Sequence, residues 1–148
     1  MILPDFKAFP RSGRIIGIDW GLRRIGVAVS DVSREFVFVR PVIKLGRGDN
    51  AVATVAQLIA EENVVGIVVG LPLYPDGTES DTTKLVREFV MALSQKTDLP
   101  IIMVEENLTS VSAQESMGRI RVRDIKEKLD AESARVILEN AIALINRA

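Results

Sequence analysis

The stretch from Arg14 to Ser30 limits the possible folds more than any other. Two short runs rich in Ile and Val, Ile15 to Ile18 and Ile25 to Val29, flank a break that contains Gly21. Runs of this length on either side of a glycine-containing turn read as two β-strands joined tightly. The first run ends in Asp19 rather than in another apolar residue. A carboxylate beside a sheet core loses hydration, and it stays ionised only when paired, hydrogen-bonded or bound to a cation. Asp19 is therefore either a working acid or simply the residue that starts the turn.

The rest of the chain extends this pair into a layered sheet. Glu35 to Ile43, with Phe36, Phe38, Val39 and Val42, reads as a third strand, and the short connections make an antiparallel meander. After a Gly46, Gly48, Asp49, Asn50 loop, Ala51 to Glu62 places Val52, Val55, Ala56 and Ile59 at helical spacing, with Asp49 or Asn50 as its cap. Val64 to Leu71 is almost continuously apolar, as a strand covered on both faces requires. Pro72 to Thr83 is a polar loop with an Asp76-Gly77 turn, and Thr78 or Ser80 is placed to cap a helix that runs to about Gln95. Pro100 to Val104 makes a fifth strand, ending in Glu105-Glu106-Asn107. Thr109 to Met117 reads as a short helix, Gly118 to Lys128 as a charged connection, and Asp130 to Ala148 as a final helix. The order of elements predicts an α/β fold: a mixed five-stranded sheet, three antiparallel strands and then parallel βαβ units, with helices on both faces.

At 148 residues and 47% hydrophobic content, the chain suits one domain, expected over residues 14–148. Met1 to Gly13 holds Pro4 and Pro10 and no continuous apolar stretch, so it is expected to be a flexible leader, neither a signal peptide nor a membrane span. A soluble, cytoplasmic protein without a membrane partner is the expectation. The absence of Cys and His removes disulfides, thiolate nucleophiles, His-based triads and the usual zinc ligands. Oxygen ligands remain, and these suit Mg²⁺ or Mn²⁺.

Three acidic positions can meet in this layout. Asp19 ends the first strand, and Glu105 and Glu106 end the fifth; neighbours in a strand point to opposite faces, so only one of the two Glu residues shares a side with Asp19. Asp130 stands four residues before Ala134, seven before Ile137 and eleven before Ala141, on the stripe that faces the sheet if the helix already includes it. The plainer alternatives are an N-cap for Asp130 and a solvated strand end for the Glu pair. Convergence favours function, because three acids at one sheet end repel one another unless a cation or a proton intervenes. Two divalent ions about 3.5 to 4 Å apart, with Asp19 as the shared ligand, suit phosphodiester hydrolysis without a His base.

Gly17-Ile-Asp19-Trp-Gly21, Arg24-Ile-Gly-Val-Ala-Val-Ser-Asp31, Val69-Gly-Leu-Pro72 with Asp76-Gly77-Thr78, Glu105-Glu-Asn-Leu-Thr-Ser110 and Asp130-Ala-Glu-Ser-Ala-Arg-Val-Ile-Leu138 resemble, in order, the motifs of the YqgF (RuvX) family. Its members are described as Holliday-junction resolvases and as pre-16S ribosomal RNA nucleases, so the resemblance implies a ribonuclease-H-like fold and a nuclease acting on structured nucleic acid. By position it implies Asp19, Glu106 and Asp130 as catalytic, metal-holding acids. The family's Asp-Glu-Arg triplet reads Glu105-Glu106-Asn107 here, keeping the central acid and losing a guanidinium whose forked contacts Asn cannot reproduce.

The net charge of −1 gives no global basic field, so nucleic acid has to be held by local patches. Arg23 and Arg24 follow the first strand beside the acids. Arg119, Arg121, Arg123, Lys126 and Lys128 outweigh Asp124 and Glu127 just ahead of Asp130, a pattern suited to phosphate-backbone contact. Tyr74 is read as a loop residue with a stacking role as the lesser reading, and Trp20 as packing under the turn. A catalytically weak nucleic-acid-binding protein of the same fold is the first alternative, motivated by Asn107. An ATPase-like nucleotide-binding domain is the second, although only one Asp-x-Gly hairpin is present. A two-fold symmetric junction substrate favours a homodimer over a monomer.

Overall fold

The structure is a computed structural model that describes residues 1–107 and 122–147, with the side chains of Asn107 and of residues 122–128 outside the description. Five strands form one sheet in the order β3-β2-β1-β4-β5. β1 (Ile15–Asp19), β2 (Arg24–Ser30) and β3 (Val37–Lys44) make the expected antiparallel meander, while β4 (Gly66–Leu73) and β5 (Ile101–Asn107) run parallel to β1. Because β1, β4 and β5 share a direction, all three end at the same edge of the sheet.

Two helices cover one face. α1 (Ala51–Glu62) starts at Asn50, whose side chain accepts from the Ala53 N–H, and stops at Asn63 in the left-handed region that ends many helices. α2 (Asp81–Ser94) starts at Ser80, which exchanges hydrogen bonds with Thr83 in a capping box. Between these helices and the sheet lie Ile16, Ile18, Val55, Ile59, Ile67, Val69, Val86, Val90 and Leu93. The opposite face carries α3 (Val122–Arg147), whose Ala134, Ile137, Leu138, Ala141 and Ile145 pack on Ile15, Ala28, Val68, Ile102 and Val104. The two cores alternate residue by residue along each strand, as the period of two demands.

α3 lies unusually low on the sheet. A Cβ at Gly17 would stand 2.8 Å from Leu138 Cβ, and one at Gly26 would stand 2.0 Å from the carbonyl oxygen of Asp130. Isolated glycines inside strands often mark such a close approach, and here they admit a helix backbone.

Of the boundaries that differ from expectation, three bear on the site. β4 continues through Pro72 and Leu73, and β5 through Glu105, Glu106 and Asn107, because the two strands keep pairing as far as Leu73 with Asn107. α3 begins at Val122, so part of the stretch read as a charged connection is helix. Its charge run masked a segment with no Gly or Pro and with Val122, Ile125 and Leu129 at helical intervals. The short helix expected over Thr109 to Met117 falls outside the described residues. Residues 1–13, expected as a leader ahead of the domain, lie against it: Ile2 bridges to Ile101, and Phe9 is buried against Gly66.

Candidate active site

Each acid reaches the site from a different element. On β1 the side chains of Ile15, Gly17 and Asp19 alternate onto the α3 face, and on β5 those of Ile102, Val104 and Glu106 do the same. Parity thereby separates the two Glu residues: Glu106 is half-buried on the side of Asp19, and Glu105 is exposed on the other side. Glu106 leans back across Gly70, where a Cβ would meet its carboxyl carbon at 3.1 Å. Asp130 lies inside α3, eight residues beyond Val122, so it is a helix-interior acid and not the N-cap.

Glu106 and Asp130 both lie close enough to Asp19 to act on its carboxyl. Burial, reinforced by the negative charges of Glu106 and Asp130, pushes the Asp19 carboxyl up to about 8. Burial also raises Glu106, while its contact with Asp19 acts in the opposite direction. Both carboxyl groups are thus held above the ordinary carboxylate range, as two neighbouring acids out of water must be. The third acid is held differently: Arg24 Nε donates to Asp130 Oδ2 at 2.9 Å.

Arg24, expected at a phosphate, is paired here with an acid of the site, a relationship the sequence does not announce. It opens β2, on the same face as Gly26 and Ala28. Arg23 is exposed, with its backbone carbonyl accepting from the Leu45 N–H. Arg119 and Arg121 fall outside the described residues; for Arg123, Lys126 and Lys128 only the helical backbone is described. Trp20 is half-buried with its ring 6.3 Å from that of Phe89, as packing under the turn requires. Tyr74 is 48% exposed in the turn closed by the Gly77 N–H on its carbonyl.

The donor set suits a hard divalent cation. It consists of carboxylate oxygens only, and the raised Asp19 carboxyl marks a place where positive charge is wanted. Among the described residues no group of three acidic side chains is arranged to enclose an ion, and Asp130 is engaged by Arg24. Two of the three acid positions stand at strand ends in the sequence, and Asp130 stands inside a helix. The glycines at 26 and 70 that make room for Asp130 and Glu106 were missed, though a lone Gly within an apolar strand was the available signal.

Strand order, a long helix across one face and acids where β1 and β5 end define a ribonuclease-H-like fold. Solved structures of similar fold include RuvC of T. thermophilus in complex with a Holliday junction substrate, at a TM-score of 0.56 and 13% identity, covering 91% of this chain and 96% of that one. The Holliday junction resolvase of fowlpox virus matches at 0.52 and 12%, covering 86% and 95%. The chain belongs to the RuvX family, described as Holliday junction resolvase, which it matches over residues 13–143. Its relatives include a protein of Maridesulfovibrio salexigens, 36% identical over 88% of this chain and 98% of the relative, and one of Chloroflexus aggregans, 38% identical over 85% and 90%. Both carry the name "Putative pre-16S rRNA nuclease".

Proposed function

We propose that this protein is a divalent-metal-dependent endonuclease that hydrolyses phosphodiester bonds in structured nucleic acid, with Asp19, Glu106 and Asp130 as its catalytic and metal-holding acids. One observation carries the reading: carboxyl groups from β1, β5 and α3 come close enough that Glu106 and Asp130 add to the burial that raises Asp19. Two Mg²⁺ or Mn²⁺ ions, when bound, supply activation of a water and stabilisation of the leaving oxygen. Asp19, once ionised, would hold the ions together with Glu106 and Asp130. Glu106 is carried in by the close pass over Gly70, and Asp130 by the close pass of α3 over Gly26.

Arg23, Arg24, Arg119, Arg121, Arg123 and Lys126 contact phosphates on either side of the cut in this reading, a sequence-independent and salt-sensitive grip. The names of the relatives support a pre-16S ribosomal RNA as the first substrate to test, and we place its cut near the 5′ end, in the cytoplasm. The family description supports a four-way DNA junction as the second. Cleavage of both by the purified protein with Mg²⁺ or Mn²⁺, set against Asp19→Asn, tests the proposal: metal-dependent products from wild type alone support it, and equal activity in the two proteins rejects it.

Asn107, where the family pattern has Arg, favours a second reading, a nucleic-acid-binding protein that cleaves weakly or not at all. Restoration of turnover by Asn107→Arg in a protein that binds but does not cut would support this second reading.

A further inference from the structure

We infer that Arg24 is a positioning residue that holds Asp130 by an ion pair until a divalent cation replaces it, and is then released to meet a phosphate of the nucleic acid. The inference rests on the nuclease reading above and specifies the order in which its site is assembled.

The backbones on both sides of the pair are closely packed. A Cβ at Gly21 would stand 2.5 Å from the Arg24 carbonyl oxygen, and one at Gly26 would stand 2.0 Å from that of Asp130. The β1–β2 turn is tight and α3 is seated against β2, so the side chains are the parts of the contact with room to exchange. Arg24 Nε reaches Asp130 Oδ2 at 2.9 Å, and the two side chains are 28% and 26% exposed. A pair open to solvent to this extent contributes little net stability, so it can exchange without unfolding anything.

Charge and geometry supply the direction. Asp19, Glu106 and Asp130 together carry a formal −3 when ionised, and Arg24 offers a single positive charge from one side of the group. A divalent cation places twice that charge among oxygens it can share, whereas the guanidinium donates along fixed N–H directions. Arg24 shares the α3 face of the sheet with Asp19, two residues before Gly26, and Gly26 is the register partner of Asp19. Once displaced, its long side chain stays beside the acids, where a phosphate brought to the cations accepts its fork.

The test uses the full chain in three forms, wild type, Arg24→Gln and Arg24→Lys, with melting temperatures confirming that each is folded. Mn²⁺ affinity without nucleic acid is measured by calorimetry and by the Mn²⁺ electron spin resonance signal. Loss of the competing guanidinium should tighten Mn²⁺ binding about fivefold in Arg24→Gln, the order expected for a partly exposed ion pair, with Arg24→Lys between it and wild type. Binding of a labelled 20-nucleotide RNA is then followed across salt concentrations. With Mn²⁺ present, the slope of log affinity against log salt should be shallower by about 1 in Arg24→Gln than in wild type, and without Mn²⁺ the two should agree. Equal or weaker Mn²⁺ binding by Arg24→Gln, or equal slopes with Mn²⁺, overturns the exchange while leaving the nuclease reading in place. Absence of Mn²⁺ binding in all three forms overturns both.

Discussion

Gly26 and Asp130 are in backbone contact across the sheet and helix layers: the carbonyl oxygen of Asp130 fills the place a Cβ on Gly26 would take, 2.0 Å away. The acid from the last helix reaches the acids from the strands because one strand position carries no side chain. Helix and strand therefore set the separation of the carboxylates together, as parts of one packed layer.

The first prediction follows from that contact. Gly26→Ala should push α3 off β2, destabilising the fold by about 3 kcal/mol, at the upper end of overpacking effects. The shift should be visible as a lower urea midpoint, accompanied by loss of metal-dependent activity. An unchanged midpoint would mean that α3 does not press on β2 at this point.

A second prediction concerns pH in metal-free buffer. The Asp19 carboxyl ionises near 3.8 in an unfolded chain and is pushed up to about 8 in the fold, so its contribution is fully present below pH 4 and is lost as pH rises through 8. Wild type in EDTA should lose stability across that window, whereas Asp19→Asn should not, leaving the variant more stable at pH 8. Adding Mg²⁺ or Mn²⁺ should restore wild type and leave Asp19→Asn unmoved, as followed by melting temperature.

Glu62 predicts the opposite slope. It accepts from Arg40 Nε at 2.9 Å and from Arg14 Nη1 at 3.3 Å, tying α1 to β3 and to the residue ahead of β1. The Arg40 hydrogen bond, with both positive charges in support, holds its carboxyl below the usual range. That stability is present above the ordinary Glu pKa and is lost as pH falls through the lowered one. Glu62→Gln should thus cost about 1 kcal/mol at pH 7 and almost nothing in strong acid, measured by denaturant titration at both pH values.

The basic stretch gives a fourth. Replacing Arg119, Arg121, Arg123 and Lys126 by Ala should weaken RNA and DNA binding alike, and each lost phosphate contact should reduce the salt slope by about 0.7 to 0.9. Anisotropy titrations at several salt concentrations read this directly. A slope equal to that of wild type would remove these residues from the nucleic-acid interface.

The layered architecture was legible along the chain because periodicity and turn chemistry are local properties. Alternation in β1 and β2, the helical spacing of Val52, Val55, Ala56 and Ile59, and the cap residues Asn50 and Ser80 each depend on a few neighbours. Asp19 and the Glu105-Glu106 pair are legible for the same reason, as acids at the ends of apolar runs, and Asp130 by its helical spacing to Ala134, Ile137 and Ala141. The start of α3 was not, since a charge run and a helix have no exclusive local signature when tertiary packing decides between them.

The amino-acid sequence alone determined the elements, their order and the three carboxyl groups available to them. Only the tertiary structure decided which Glu of the pair faces Asp19, that Asp130 lies within a helix, and that Arg24 holds it. Those outcomes depend on strand register and on how closely α3 settles over Gly17 and Gly26, and both are set by contacts between residues far apart in the chain.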